Sequence, residues 1–173
     1  MPLLAHAGIV EVGASGSYKS TTVDDNNYSK TESLTGSLSY YFWEMSAVEL
    51  SYTNGFNQTF GLTATGDRYS VTTTFELVGG DVIISFAGKD ASFRPYVKVG
   101  IAYEKKKYEY DQGFYVPVTG KVEGLAPTAG LGFKLLLTDH LALRGGVDTW
   151  TSPVSVTPVT YDIAASAGIS WLF

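Results

Sequence analysis

The chain has 173 residues, of which 45% are hydrophobic, and a formal net charge of −5. This length suits one domain, and the negative charge argues against a nucleic-acid-binding protein, which normally carries a basic stripe. Cysteine is absent, which excludes a disulfide framework and any thiolate metal or nucleophile site. The 19 glycines and 12 tyrosines favour β structure over helices. No window approaches the roughly 18 consecutive apolar residues that a transmembrane helix requires.

Apolar and polar side chains alternate along most of the chain, with no helical run between the alternating segments. A period of two indicates an extended strand with one apolar and one polar face. In chain order, the sequence predicts eight strands at about 9–19, 30–43, 47–56, 67–86, 93–108, 122–137, 141–151 and 161–173.

The fourth segment differs from the others because its apolar parity changes. Phe75 and Leu77 belong to one alternating row, whereas Val82 and Ile84 belong to the other. Gly79-Gly80 lies at the change, and glycine within a strand often marks a bulge. We therefore predict a β-bulge there, with Phe75 and Leu77 on the apolar face.

The connections between the segments alternate in length. Short ones at 44–46, 87–92 and 138–140 alternate with longer polar ones, which are 20–29, 56–66, 109–121 and 152–158. The segments are also about as long as the 9–11 residues with which a tilted strand crosses a bilayer. Short turns at one end and long loops at the other are typical of a bacterial outer-membrane barrel. The sequence thus predicts an all-β, eight-stranded antiparallel up-and-down transmembrane β-barrel, with both termini periplasmic.

A soluble barrel with an apolar interior, such as a lipocalin, is the alternative architecture. The polar faces argue against it, because they carry charges of both signs in the middle of strands and many glycines, which a narrow interior needs. We therefore predict a lumen plugged by side chains and a lumen charge network whose members pair with one another. Its candidate members are Glu49, Arg68, Glu76, Arg94, Lys98, Glu104, Lys134, Arg144 and Asp148.

Several motifs resemble the small eight-stranded outer-membrane barrel family that includes OmpX, Ail and the OmpA membrane domain. They lie at residues 40–42, 47–52, 93–100, 129–133 and 169–173. The last is similar to the C-terminal signal that the barrel assembly machinery recognises, with Ile169, Trp171 and Phe173 as its assembly residues. The resemblance implies a Gram-negative outer-membrane location and contact with outer-membrane lipids and lipopolysaccharide. It implies little about function, because one fold supports many roles.

The N-terminus resembles the end of a signal peptide. Ala5-His6-Ala7 fits an A-x-A cleavage site behind a short apolar stretch, although no basic region precedes it. We predict that residues 1–7 are a signal-peptide remnant and that 8–173 form a single barrel domain. An ordinary flexible start is the alternative.

The sequence offers little catalytic chemistry. One of its two histidines, His6, falls in the predicted leader, and the other, His140, in a short turn. There is no Cys/His metal spacing, P-loop or G-x-S-x-G elbow. Strand carboxylates such as Glu104 could form an acid/base pair, but lumen ion pairs are favoured. We predict no catalytic, metal or cofactor site and no nucleic-acid partner.

The stretch 103–118 is rich in tyrosine and lysine and could extend the fifth and sixth strands beyond the membrane as a hairpin. One interpretation is an adhesive edge for an extracellular protein partner, because tyrosine offers contact area at low entropic cost. The other is that the lysines meet lipopolysaccharide phosphates while the tyrosines join the outer aromatic girdle. The candidate residues are Lys105, Lys106, Lys107, Tyr108, Tyr110, Phe114 and Tyr115.

Three functions remain open at this stage. The first is a monomeric, non-enzymatic barrel with a structural or surface-interaction, adhesin-like role. The second is a small channel or transporter for ions or small solutes, which a narrow eight-stranded interior disfavours. The third is an outer-membrane lipid-modifying enzyme.

Overall fold

The computed structural model describes residues 9–24, 27–43, 46–62, 66–88, 91–111, 118–154 and 161–173. They form one closed barrel in which each strand pairs with its sequence neighbours and the last strand pairs with the first. All eight pairings are antiparallel. The strands are β1 (Ile9–Asp24), β2 (Asn27–Trp43), β3 (Ser46–Leu62), β4 (Arg68–Ser85), β5 (Phe93–Asp111), β6 (Val118–Leu136), β7 (Leu141–Thr151) and β8 (Tyr161–Leu172).

This architecture confirms the predicted eight-stranded up-and-down barrel. Closure pairs Glu11 of β1 with Leu172 of β8, and the backbone N–H of Phe173 donates to the Val10 carbonyl at 2.9 Å. Closure removes the exposed edges that an open sheet would leave. No helix in the described part of the chain is long and apolar enough to cross a membrane.

The barrel has two distinct ends. The turn end contains Ile9, Phe173 and the connections β2–β3, β4–β5 and β6–β7, whereas the loop end contains the other four connections. The proposed signal-peptide remnant, residues 1–7, lies outside the described residues.

The strands are longer than predicted, and two of the predicted long loops are mostly strand. β1 to β6 have 16 to 19 residues each, so only 25–26 separate β1 from β2 and 63–67 separate β3 from β4. Polar strand ends stabilise one another across the sheet, as where Asn57 Nδ2 donates to Ser29 Oγ at 2.9 Å and to Thr31 Oγ1 at 2.7 Å. Serine, threonine and asparagine that resemble loop residues thus pair as strands.

The predicted bulge at Gly79-Gly80 is wrong. The β3–β4 and β4–β5 pairings continue through these glycines in one register, so the parity that puts Val82 outside extends along the whole strand. Phe75 and Leu77 are therefore inside, 4% and 7% exposed. They pack with Ala102 as a small apolar cluster within the lumen.

The outer surface carries an apolar band between two aromatic rims. Its members are strongly exposed on the isolated chain, as with Leu50 at 60% and Leu131 at 66%. Aromatic residues line the turn-end side, namely Trp43, Phe86, Phe93, Trp171 and Phe173, and the loop-end side, namely Tyr18, Tyr52, Tyr103 and Tyr161. This pattern fits lipid in the middle and an interface at each rim.

Candidate functional site

A buried network of charged side chains fills the lumen near the turn end; we call it the plug. Lys134 Nζ lies 2.7 Å from Glu11 Oε2, and Arg144 Nη2 lies 2.8 Å from Glu49 Oε2. Lys98 Nζ completes it at 3.0 Å from Asp148 Oδ1. Each of these contacts joins strands that are not neighbours in the barrel, so the plug cross-links the wall through its interior.

The two carboxylates at the centre of the plug are almost inaccessible. Glu11 is 0% and Glu49 is 2% exposed, so both depend on their partners for charge compensation. Arg144 contacts both, because its Nη1 lies 3.7 Å from Glu11 Oε1.

Neutral donors add hydrogen bonds to both carboxylates, although Glu11 Oε1 has no hydrogen-bond partner among the described residues. Tyr41 OH donates to Glu11 Oε2 at 2.6 Å and also contacts Lys134 Nζ. Ser39 Oγ donates to Glu49 Oε2 at 2.8 Å. Such additional bonds are what a buried ion pair needs to offset its desolvation.

The plug contains charges of both signs and leaves little free space. Glu11, Glu49 and Asp148 pair with Lys98, Lys134 and Arg144. A cavity of about 90 Å³ lies against Glu49, Lys98, Arg144 and Asp148, and the buried Asp81 lines the same cavity as a fourth carboxylate. Glycines allow the side chains to cross the lumen, since a Cβ on Gly132 would lie 2.5 Å from the Tyr96 ring.

The structure brings five of the nine predicted network residues together in the plug: Glu49, Lys98, Lys134, Arg144 and Asp148. Glu104 is in the lumen but nearer the loop end, where it pairs with Lys106 at 3.2 Å. Arg94 lies at the turn end, where its Nε donates to the Ala91 carbonyl at 2.9 Å.

Arg68 and Glu76 do not belong to the lumen network. Both are exposed, and they share the outward parity of Val82 because β4 has no bulge. Glu76 lies instead beside Lys105 of β5 on the outer surface. The error followed directly from the predicted change of parity.

Sequence reasoning missed several interior residues. Parity could have identified both Glu11, on the polar face of β1, and Asp81, which alternates with the outward Val82. Asp81 Oδ1 accepts from Thr128 Oγ1 at 2.6 Å. Tyr41 escaped notice because aromatic residues were expected at the rim. Asp162, whose Oδ2 lies 2.6 Å from Lys106 Nζ, was also missed; it directly follows the first aromatic residue of β8.

A larger cavity of about 510 Å³ occupies the lumen towards the loop end; we call it the upper cavity. Its walls include hydroxyl side chains of β1 and β2, the ion pair Lys106–Asp162 and the aromatic rings of Phe75 and Trp150. The indole Nε1 of Trp150 donates to Glu104 Oε1 at 3.0 Å. The lumen is thus filled near the turn end and hollow near the loop end.

The predicted surface-interaction stretch splits between two faces of β5. Lys105 and Lys107 are exposed on the outer surface, whereas Lys106 points inward to Asp162 and Tyr108 lines the upper cavity. The cause is the pleat, which sends consecutive side chains to opposite faces.

The rest of that stretch lies closer to the loop end. Tyr110 stands beside Tyr69, with ring centroids 5.8 Å apart. Phe114 and Tyr115 fall outside the described residues. The hairpin extension itself is present, since β5 and β6 pair as far as Tyr110 and Val118.

The outer surface of the β5–β6 extension concentrates lysines; we call Lys105, Lys107 and Lys121 the lysine face. Lys107 stands directly opposite Lys121, and Lys105 opposite Glu123. Lys121 also pairs with Glu123 at 2.6 Å. The lysine face begins just beyond Tyr103 and Leu125, the last outward apolar residues of these strands.

The predicted assembly residues face outward along β8. Ile169, Trp171 and Phe173 are 55%, 47% and 70% exposed, and His140 stacks on Trp171 with ring centroids 5.7 Å apart. No cluster of three or more metal-ligating side chains occurs among the residues that the structure describes.

Comparisons with known proteins place this architecture in one family. Residues 3–154 match the family described as "Outer membrane protein beta-barrel domain". No curated protein sequence matches the chain.

Solved structures share the fold at low sequence identity. The N-terminal β-barrel domain of Pseudomonas aeruginosa OprF has a TM-score of 0.62 at 18% identity, covering 96% of this chain and 99% of that one. OprG from Pseudomonas aeruginosa has a TM-score of 0.60 at 12% identity, with coverage of 96% and 95%. Ail, the attachment invasion locus protein of Yersinia pestis, solved with the heparin analogue sucrose octasulfate, scores 0.57 at 12% identity, with coverage of 96% and 97%.

The family match covers most of the chain, and the structural likeness extends over nearly all of it. The lipid-facing band and the closed eight-stranded wall agree with both. The chain therefore belongs to the outer membrane protein β-barrel family and is a membrane protein of the bacterial outer membrane.

Proposed function

We propose that this chain is a non-enzymatic barrel with a side-chain-plugged lumen and a structural or surface-interaction role. The observation that carries the proposal is the plug, in which Glu11 and Glu49 are almost fully buried and each lies within 3 Å of a cation. A hydrogen-bonded network of this kind cross-links the barrel, and the cavity beside it measures only about 90 Å³. An eight-stranded interior has room for little more than its own side chains.

Conductance in planar lipid bilayers tests the closed lumen. We expect the refolded wild type to show no steady openings, whereas Lys98→Ala combined with Arg144→Ala removes two of the three plug cations and produces openings. Lys30→Ala, which truncates an exposed lysine on the outside of β2, is the matched control and should remain closed. Stable wild-type openings that disappear on altering Lys98 or Arg144 would instead favour a channel.

The orientation belongs to the same proposal: the loop end faces outwards and the turn end, with both termini, faces the periplasm. It is supported by the long strand extensions and the lysine face at the loop end. Because the chain contains no cysteine, single cysteines can report it without background. In intact cells a membrane-impermeant maleimide should label Thr119→Cys but not Asp139→Cys, and the reverse pattern would invert the barrel.

The lysine face supplies a surface for interaction with lipopolysaccharide. Lys107 and Lys121 form a like-charge cross-strand pair, which is unfavourable; Glu123 offsets Lys121, and a bound anion would offset the remaining positive charge. They stand just outside the apolar band, at the level where lipid headgroups meet the strands. The phosphate groups of lipopolysaccharide have the required charge and location.

Binding of lipopolysaccharide to the reconstituted barrel tests this surface. Lys107→Glu combined with Lys121→Glu should weaken binding by about tenfold or more, or ~1.4 kcal/mol, and enzymatic removal of the phosphates should have a similar effect on the wild type. Lys107→Glu alone and Lys30→Glu are the matched pair for the control, since each reverses the charge of one exposed outward lysine. Equal weakening by both variants would mean that only net charge matters.

An extracellular protein partner is a separate use of the same extension. Deleting 112–117 should abolish adhesion to host cells or matrix if the hairpin tip is adhesive, while heat-modifiable gel mobility shows that the barrel still folds. Unchanged adhesion would remove the tip from the proposal. The non-enzymatic part would be contradicted by lipid A modification on expression that is lost in Glu104→Gln.

A further inference from the structure

The upper cavity has the size and position of a ligand site. Its volume of about 510 Å³ falls within the roughly 300–1,000 Å³ typical of small-molecule sites. It lies on the loop-end side of the plug, so a ligand there would not need to cross the barrel.

One side of this cavity is a fixed aromatic platform. Phe75 and Trp150 have ring centroids 6.1 Å apart at an interplanar angle of 40°. The bond from Trp150 Nε1 to Glu104 Oε1 holds the indole. Gly55 leaves room for Phe75, because a Cβ on Gly55 would lie 2.5 Å from that ring.

The facing wall is rich in hydroxyl groups and carries one charged side chain, Lys19 of β1. Ser17 Oγ and Ser33 Oγ lie 2.7 Å apart, and Asn57 Nδ2 bridges Ser29 and Thr31. Hydroxyl groups both donate and accept, so such a wall can exchange its internal hydrogen bonds for bonds to a ligand. These side chains stand on rigid paired strands rather than on loops, which keeps the wall in place.

A buried carboxylate beside the platform has unused acceptor capacity. Glu104 is 0% exposed, and its Oε1 accepts from Trp150 and contacts Lys106. Its Oε2 has no hydrogen-bond partner among the described residues. Glu104 does not itself line the cavity, so its role is to hold Trp150 and Lys106 in place from behind the wall.

These features select a narrow class of ligand. An aromatic platform stacks against an apolar C–H face, whereas hydroxyl and amide groups bind hydroxyls around its edge. Anionic ligands gain little attraction, because the two lysines of the cavity, Lys19 and Lys106, are offset by Asp162 and by Glu104 behind the platform. Purely apolar ligands are disfavoured by the polar wall, since its groups would lose partners.

We propose that the upper cavity binds a neutral sugar of one or two residues, stacked on Phe75 and Trp150 and held by the hydroxyl and amide groups of β1, β2 and β3. This goes beyond the closed-lumen role, because the site lies entirely on one side of the plug. It makes the barrel a receptor for small sugars as well as a structural protein.

The test uses the full chain in phospholipid nanodiscs, since glucoside and maltoside detergents would compete. Glucose and maltose are titrated while the indole N–H signal of Trp150 is followed by NMR, with glucose 6-phosphate as the anionic probe. We expect saturable shifts with glucose or maltose in the millimolar range and weaker binding of the phosphate. Shifts that stay linear for both neutral sugars, or tighter binding of the phosphate, would overturn the proposal.

Variants distinguish specific sugar binding in the upper cavity from non-specific contact with the protein. Asn57→Leu removes the bridging amide and should weaken sugar binding by about tenfold. Ser33→Val provides a second lesion in the same wall if Asn57→Leu does not fold, as judged by heat-modifiable mobility. Trp43→Phe, which changes a 74% exposed tryptophan near the turn end, is the matched control. Equal binding in the wall variants and the control would also overturn the proposal.

Discussion

Arg144 is the residue on which the plug depends most, and replacing it with methionine tests the role assigned to the network. Its guanidinium contacts Glu49 at 2.8 Å and Glu11 at 3.7 Å. Arg144→Met keeps a long side chain but removes the charge and the donors. Glu49 would then retain Lys98 at only 3.8 Å. Leaving a buried charge without its partner costs about 3–5 kcal/mol.

The assay is urea unfolding in phospholipid vesicles, followed by tryptophan fluorescence and checked by gel mobility of the unheated protein. Lys121→Met is the matched control, because Lys121 contacts Glu123 at 2.6 Å but both side chains are about half exposed. An exposed ion pair contributes only about 0–1 kcal/mol. The comparison therefore isolates the effect of burial on the loss of stability, because the ion pair in the control is at least as short as the one between Arg144 and Glu49.

A double-mutant cycle completes the test. Glu49→Gln combined with Arg144→Met removes both charges, so the double variant should be more stable than Arg144→Met alone, with a coupling free energy of about 0.5–3 kcal/mol. Additive effects, or a loss of less than about 1 kcal/mol in Arg144→Met, would refute the reasoning that the buried network cross-links the barrel.

Two further predictions concern the wall. Gly132→Val should destabilise the barrel by about 1–3 kcal/mol, because a Cβ there would lie 2.5 Å from the Tyr96 ring. Gly36→Val is the control and should be neutral, because a Cβ at Gly36 would have nothing within 4 Å. Equal unfolding midpoints of the two variants in urea would contradict the close packing. Leu131→Arg on the outer band should cost about 2–4 kcal/mol. Glu76→Arg, outward but beyond the band, should cost no more than about 1 kcal/mol, because the new charge lies opposite Lys105 on the neighbouring strand. A large loss from Glu76→Arg in the same assay would return that residue to the lumen.

The fold was predictable because its main signal is local. Alternation with a period of two follows from the covalent geometry of an extended chain, and it repeats in all eight strands. The β7 boundaries, Leu141–Thr151, agree with the predicted 141–151. Strand ends near the loop end were not predictable, because segments such as 56–62 of β3 are rich in polar residues and become strand only when a partner pairs with them.

Strand parity predicted which residues face the interior, but it did not predict which of them pair with one another. Parity places Glu49, Lys98, Lys134 and Arg144 inside, but it does not show which cation meets which carboxylate. Where parity was broken by a wrong bulge, Phe75 and Glu76 exchanged faces. Because β4 keeps a single register, the inward and outward positions in its first half follow the same alternation as those in its second half.

The sequence by itself determined the number and order of the strands, the lipid-facing rows and the location at a membrane, because these depend on neighbours two residues apart. Only the tertiary structure decided that the lumen is divided into a plug and an upper cavity. The reason is distance along the chain: Lys134 and Glu11 are 123 residues apart in sequence and 2.7 Å apart in the barrel. Closure of the wall brings them together, and no local pattern encodes which partners will meet.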